Sequence, residues 1–377
     1  MRPTRTITAL ALCGALAVGA AACGDDDDNG STGTTGGGAA TAQAAATSLS
    51  GQIAGAGASS QAAAQEAWIA GFQTANPDVT ISYDPVGSGG GREQFVAGGT
   101  AFGGTDSALA DEELTGAQER CGGVDNLIEI PAYVSPIAIA YNVPGVEELK
   151  LAPETLARIF KQEIKNWNDP AIAATNEGVE LPDQAITVVN RSDESGTTEN
   201  FVEYLAAVAP DVWTFEVSGD WPVKGGEAAE GTSGVVDAIR NGEGSIGYAD
   251  ASQVGDLGVV QVQVGEDFVG PTPEAAAEIF ADSERTEGEG ANVFTYTLNR
   301  ETEASGTYPI VLVSYLMACT QYDSAQEADI VKAYLSYLIS PEGQDAAAQA
   351  AGSAPISDET RALIQPAIDA IGGGSAS

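Results

Sequence analysis

From residue 49 onward the apolar positions recur first at helical and then at strand spacing. Gln61 to Phe72 places Ala63, Ala67, Ile69, Ala70 and Phe72 for packing, with Trp68 beside them, and predicts a helix that Asn76-Pro77 stops. A run of small residues, Gly55-Ala56-Gly57-Ala58-Ser59-Ser60, reads as the turn before it. Val79 to Tyr83 alternates as a strand. Gly87 to Gly91 is a glycine-rich turn that opens a helix over Arg92 to Ala97. Phe102 to Ser107 is a short strand running into a loop, and Asp111-Glu112-Glu113 begins an acidic first helical turn. Helix, strand, turn, helix, strand is the order of α/β units.

The pattern continues beyond Cys121. Ile128 to Pro131 and Pro136 to Asn142 are two apolar runs, and the second predicts a buried strand crossing from one lobe to another. Helices are predicted at Thr155–Phe160, about Thr198–Ala209, Gly234–Asn241, Pro271–Ala281 and Ser324–Leu338. Further helical stretches begin at Pro341 and within 355–371. Ile186–Val189, Gly244–Tyr248 and Val259–Val264 read as strands, and Tyr308–Leu316 as a strand returning to the first lobe. Trp213 to Trp221 is an aromatic stretch of mixed character, 282–290 a polar loop, and 372–377 a frayed tail.

The first 48 residues follow a different pattern. Arg2 and Arg5 precede an apolar run, Ile7 to Ala22, which with Ala20-Ala21-Ala22 reads as a secretory signal over 1–22. Cys23 then resembles the lipidated cysteine of a bacterial lipoprotein, although Ala20 stands where such signals usually carry leucine. An ordinary signal peptide followed by a chance cysteine is the alternative. Residues 23–48 hold four consecutive aspartates and then small polar residues, a composition that buries too little apolar surface to fold. They read as a tether. In an exported body the remaining pair, Cys121 and Cys319, suggests one disulfide, with two free thiols as the alternative.

Charge narrows the function. The 377 residues carry 15 Lys+Arg against 54 Asp+Glu, a formal net charge of -39. Nucleic acid is excluded as a partner, because phosphate-backbone contacts need a basic surface. Histidine is absent, which removes the usual general base and the commonest metal ligand, and no acidic cluster has metal spacing. No cofactor is expected. Gly87–Gly91 lacks both the dinucleotide fingerprint and the lysine of a Walker motif.

The candidate chemistry lies in Arg191-Ser192-Asp193-Glu194-Ser195-Gly196-Thr197-Thr198, a strand-to-helix turn. The first helical N–H groups there have no internal partner and suit an anion. Arg191 adds a fork of donors that Asp193 can hold. A plain N-cap with a surface ion pair is the alternative. Ser59-Ser60 and Ser88 also sit at predicted helix starts, so three N-termini could converge on one multivalent anion.

Four segments resemble the phosphate-binding proteins of bacterial ABC phosphate transporters, the PstS family. They are LSGQIAGAGASS at 49–60, GSGGGREQFVAGGTAFGGTDSAL at 87–109, IFKQEIKNWNDPAI at 159–172 and RSDESGTT at 191–198, with GSIGYAD at 244–250 in support. The resemblance spans about 49–371. It implies a two-lobed α/β periplasmic-binding-protein fold with the ligand in a cleft between lobes joined by crossing strands. The first lobe would combine 49–137 with 309–371, and the second would be 138–308. It further implies that Ser59 and Ser60 stand in the first binding loop, where the family often has Thr-Phe, and that Ser88 matches the second. Asp106 matches the carboxylate that accepts a proton from the ligand. Arg191, Ser195, Gly196 and Thr197 match the third loop, with Asp193 supporting the arginine. The expected function is capture of inorganic phosphate by a monomer and its delivery to ABC permease subunits, at the outer face of the membrane and without catalysis. The rival expectations are a receptor for another oxyanion, a phosphatase of the same fold, and a repurposed surface or sensory protein.

Overall fold

The computed structural model describes residues 48–286 and 288–373. The expected signal segment, the tether and Cys23 lie outside the described residues. Among the described residues no helix is long and apolar enough to cross a membrane.

The first lobe is laid down as β1 (Gly51–Gly57), α1 (Ala62–Ala75), β2 (Val79–Asp84), α2 (Ser88–Val96), β3 (Phe102–Thr105) and α3 (Asp111–Arg120). β4 (Leu127–Asn142) then leaves it. The second lobe contains β5 (Leu149–Leu151), α4 (Pro153–Phe160), α5 (Pro170–Ala173), β6 (Thr187–Arg191), α6 (Gly196–Val208), β7 (Glu227–Ala229) and α7 (Gly231–Asn241). β8 (Ser245–Asp250), β9 (Gly258–Val264), β10 (Asp267–Val269) and α8 (Pro273–Ala281) follow. A small hairpin of β11 (Glu284–Arg285) and β12 (Tyr296–Thr297) precedes the return strand β13 (Val311–Cys319). β14 (Gln321–Tyr322), α9 (Ala325–Ile339), α10 (Pro341–Ala351), α11 (Asp358–Asp369) and β15 (Gly372–Gly373) close the chain.

One curled sheet joins the lobes in the order β2-β1-β3-β13-β4-β8-β6-β7, with β9 branching from β4 to carry β5 and β10. β4 makes the crossing. Residues 127–136 pair with β13, and 137–142 pair with β8. The chain comes back beside it, where Ile137 N–H donates to Ile310 O at 2.8 Å and Tyr308 Oη donates to Ile137 O at 2.8 Å. Every β4 residue except Asn142 is buried, so the crossing runs through the core.

Several elements differ from the sequence expectation. The two apolar runs around Pro131 and Pro136 form one continuous strand. Tyr315 pairs with Pro131 and Ser314 with Tyr133, which leaves Ala132 as an extra residue. A bulge of this kind accommodates a proline that cannot donate to the ladder. Residues 55–57, read as part of a turn, belong to β1. Their smallness serves close packing: a Cβ on Gly55 would lie 2.2 Å from the Phe102 ring, and one on Gly57 would lie 2.0 Å from Gly104 O. α2 begins at Ser88 rather than Arg92, and its glycine Gly91 lies against Gly57 Cα, 2.3 Å from where a Cβ would sit. The 282–290 stretch contributes β11. Gly372 and Gly373, expected to fray, pair in parallel with β14.

Cys121, just after α3, and Cys319, at the end of β13, are joined in a disulfide with Cα atoms 5.2 Å apart. It closes a loop across 198 residues of sequence separation, and so constrains a large part of the unfolded chain. Reducing it should lower unfolding free energy by about 2–4 kcal/mol. Denaturant titrations with and without reductant would measure that, and coincident midpoints would count against it.

Candidate functional site

The site forms where β1, β3 and β13 of the first lobe meet the start of α6 from the second. Asp106 is the residue after β3 and is 2% exposed. Ser60, in the single helical turn leading to α1, donates to both carboxylate oxygens at 2.8 and 2.6 Å. Ser314 on β13 donates to Oδ1 at 2.8 Å, and itself accepts from Gln61 Nε2 at 2.7 Å. Thr197 in the first turn of α6 donates to Oδ2 at 3.2 Å. The Asp106 N–H donates to Ser88 Oγ at 3.1 Å. Gly196 lets α6 come this close, since a Cβ there would lie 2.8 Å from both Asp106 Cβ and Ser88 Oγ. Burial pushes the Asp106 carboxyl above its ordinary value, and the three hydroxyls and Arg191 counter part of that rise.

Arg191 closes β6 and is 4% exposed. Its Nε donates to Asp193 Oδ1 at 2.8 Å, and a terminal nitrogen donates to Oδ2. Asp193 also accepts from Gly231 N–H at 3.1 Å. Burial works against ionisation of Asp193, but the guanidinium and the Gly231 N–H override it and hold the carboxyl below its usual range. The pair fixes the guanidinium and leaves the other terminal nitrogen's donors to offer an anion. Across the cleft Gly87 approaches the same pair. A Cβ at that position would be 2.6 Å from Asp193 Oδ2, and the φ of +94° favours glycine independently.

The remaining expected residues take distinct places. Ser195 is the N-cap of α6, with Oγ accepting from Thr198 N–H at 3.3 Å. Thr198 Oγ1 lies 2.7 Å from Tyr248 Oη, which accepts from Arg191 N–H at 3.3 Å. Ser59 turns to the second lobe instead of to Asp106: its Oγ accepts from Thr232 N–H at 3.1 Å and lies 3.0 Å from Thr232 Oγ1. Ser60, Ser88, Asp106, Gly196 and Thr197 are therefore brought together, Arg191 and Asp193 form one wall, and Ser59 ties the rim.

Sequence reasoning missed Ser314, Gln61, Thr232, Asn200 and the Arg92–Glu194 pair. Arg92 on α2 donates to Thr105 and Ser107 hydroxyls, both at 2.9 Å, and reaches Glu194 of the second lobe at 2.7 Å. Ser314 carried a usable signal, a single small polar residue among the large side chains of Ile310–Leu316. The others carried none, because their partners are remote in sequence. Among the described residues no group of three or more His, Cys, Asp or Glu could hold a metal ion.

A family model described as a PBP superfamily domain matches residues 42–342. The phosphate-binding protein PstS 3 of Mycobacterium leprae is 36% identical over 327 residues, covering 84% of this chain and 85% of that protein. The phosphate-binding protein PstS of Pasteurella multocida is 34% identical over 305 residues, covering 78% and 83%. Among solved structures, a high affinity periplasmic phosphate-binding protein bound with phosphate superposes with a TM-score of 0.67 at 22% identity, covering 84% of this chain and 93% of that one. The model match and the curated identities span the elements that build the site, and the chain belongs to the PstS family of phosphate-binding proteins within the PBP superfamily.

Proposed function

We propose that this protein is an extracytoplasmic receptor that binds inorganic phosphate between its lobes and delivers it to the permease of a membrane ABC importer. Its relatives bear the name of phosphate-binding proteins. The observation that carries the assignment is the pairing of one buried carboxylate with a set of hydroxyl and N–H donors beside a fixed arginine. Donors alone would take any oxyanion. An ionised carboxylate only accepts, so the preferred anion must itself bring a proton. Hydrogen phosphate does so and sulfate does not.

Neutral donors also suit a chain of net charge -39, in which further cations are scarce. The ligand would bring the lobes together about β4, a population shift toward the closed form that a permease could read. Lipid attachment at Cys23 would keep the receptor at the outer face of the membrane, with 24–48 as its tether.

Calorimetric titration of the protein stripped of bound anion tests this. One phosphate per chain, with affinity unchanged by excess sulfate near neutral pH, is the expected result. Sulfate competition would reassign the site to oxyanions in general, and absence of phosphate binding would overturn the proposal.

A further inference from the structure

Asp106 is held from both sides of the cleft through its main chain as well as its carboxylate. Its N–H donates to Ser88 of the first lobe, and its carbonyl accepts from Asn200 Nδ2 of α6 at 2.7 Å. Asn200 is buried, and its Nδ2 also donates to Gly196 O at 2.8 Å. An amide can face either way, and its direction here is set from behind by Arg300, whose terminal nitrogen donates to Asn200 Oδ1.

Arg300 is 3% exposed and lies between the second lobe and the return strand. It grips Glu203, one turn along α6, through Nε at 3.1 Å and a terminal nitrogen at 2.9 Å. Its other terminal nitrogen donates to the carbonyls of Pro309 and Val311, at 3.1 and 2.6 Å, where the chain re-enters the first lobe. Asp106, Asn200, Glu203, Arg300 and Tyr315 line one 160 Å³ cavity between the lobes. A single buried guanidinium thus joins the returning chain at 309–311, helix α6 and, through one amide, the peptide that carries the site carboxylate.

We infer that Asn200 and Arg300 form a closure latch, in which Arg300 orients the Asn200 amide so that it holds the Asp106 carbonyl across the cleft when the lobes are together. The inference rests on the phosphate reading only for its ligand. Asn200 and Arg300 are positioning residues that act through Asp106. The latch bond joins opposite lobes, so it is made on closing and broken on opening. Its loss should change the rate at which ligand leaves and leave the rate of encounter as it was.

The test measures phosphate association and dissociation by stopped-flow fluorescence on the full protein. Asn200→Ala should raise the dissociation rate about fivefold to tenfold, the range of one net hydrogen bond, with association within about twofold. Arg300→Lys keeps a cation for Glu203 but loses the planar fork, and should give part of the same increase. The double variant should dissociate no faster than Asn200→Ala alone, because both changes break one device. Additive increases, or a dissociation rate unchanged in Asn200→Ala, would overturn the latch.

A second readout needs no ligand. The Thr232 N–H donates across the cleft to Ser59 Oγ, on elements other than those of the latch, so its hydrogen exchange reports whether the lobes are closed. Asn200→Ala should speed exchange at Thr232 with or without phosphate, and unaltered exchange would overturn the latch even if the wild-type protein bound no phosphate. Failure of wild-type phosphate binding with faster Thr232 exchange would keep the latch and remove the ligand assignment.

Discussion

Replacing Arg191 by methionine should weaken phosphate binding about a thousandfold, a loss of about 4 kcal/mol. Two effects combine. The ligand loses its charge-assisted donors, each of which contributes about 1.5–3 kcal/mol. Asp193 also stays behind, half-buried, without the guanidinium that neutralises it, and then faces the anion as a like charge. The second effect can be isolated. Adding Asp193→Asn to Arg191→Met should recover part of the affinity, whereas Asp193→Asn alone should weaken binding because the arginine loses its support. Arg191→Lys should fall in between, since an ammonium is a point charge and cannot serve Asp193 and the anion along two fixed directions. Calorimetric dissociation constants for the four variants check this, with unfolding midpoints to show that each is folded. A drop of less than tenfold in Arg191→Met would remove Arg191 from the binding wall.

The site was legible where chemistry is local in sequence. Arg191, Asp193, Ser195, Gly196 and Thr197 fall within seven residues, and a strand followed by a capped helix start is visible in the residue pattern itself. Ser88 and Asp106 needed the family resemblance, because a serine at a helix start and a loop aspartate each have ordinary structural uses. The Asn200–Arg300 contact spans a hundred residues, and no local rule brings those two together. Helices with strong apolar spacing, such as the one bearing Trp68 and Phe72, are legible to within a few residues of their ends. β1 is not legible, and its end reads as a turn, because Gly and Ala carry little strand preference; their reason for being there is the approach of Phe102 and Gly104. The sequence divides β4 in two because a proline usually ends a strand, and the bulge at Ala132 that accommodates Pro131 depends on a partner strand far along the chain.

Asp106→Asn should collapse discrimination between phosphate and sulfate. In the wild-type site an ionised Asp106 faces an anion, and a ligand without a proton sets its charge against that buried carboxylate with no hydrogen bond between them, at a cost of about 3 kcal/mol. Sulfate should therefore bind at least about a hundredfold more weakly than phosphate. An asparagine removes the charge and offers N–H donors, so sulfate should gain most of that factor. Phosphate should lose only a little, because the hydroxyls of Ser60, Ser314 and Thr197 must redistribute over one remaining acceptor oxygen. The same logic fixes a pH dependence. Burial raises the Asp106 carboxyl, so it takes up its proton at a higher pH than an ordinary aspartate. Once protonated it can donate to sulfate. Sulfate competition in the wild-type protein should then grow as pH falls through that raised value, and it should be independent of pH in Asp106→Asn over the same window. Competition calorimetry at a series of pH values measures both. An unchanged phosphate-to-sulfate ratio in the variant would mean that selectivity comes from the hydroxyl and arginine donors, and that Asp106 serves to hold the two lobes' walls together through Ser60 and Thr197.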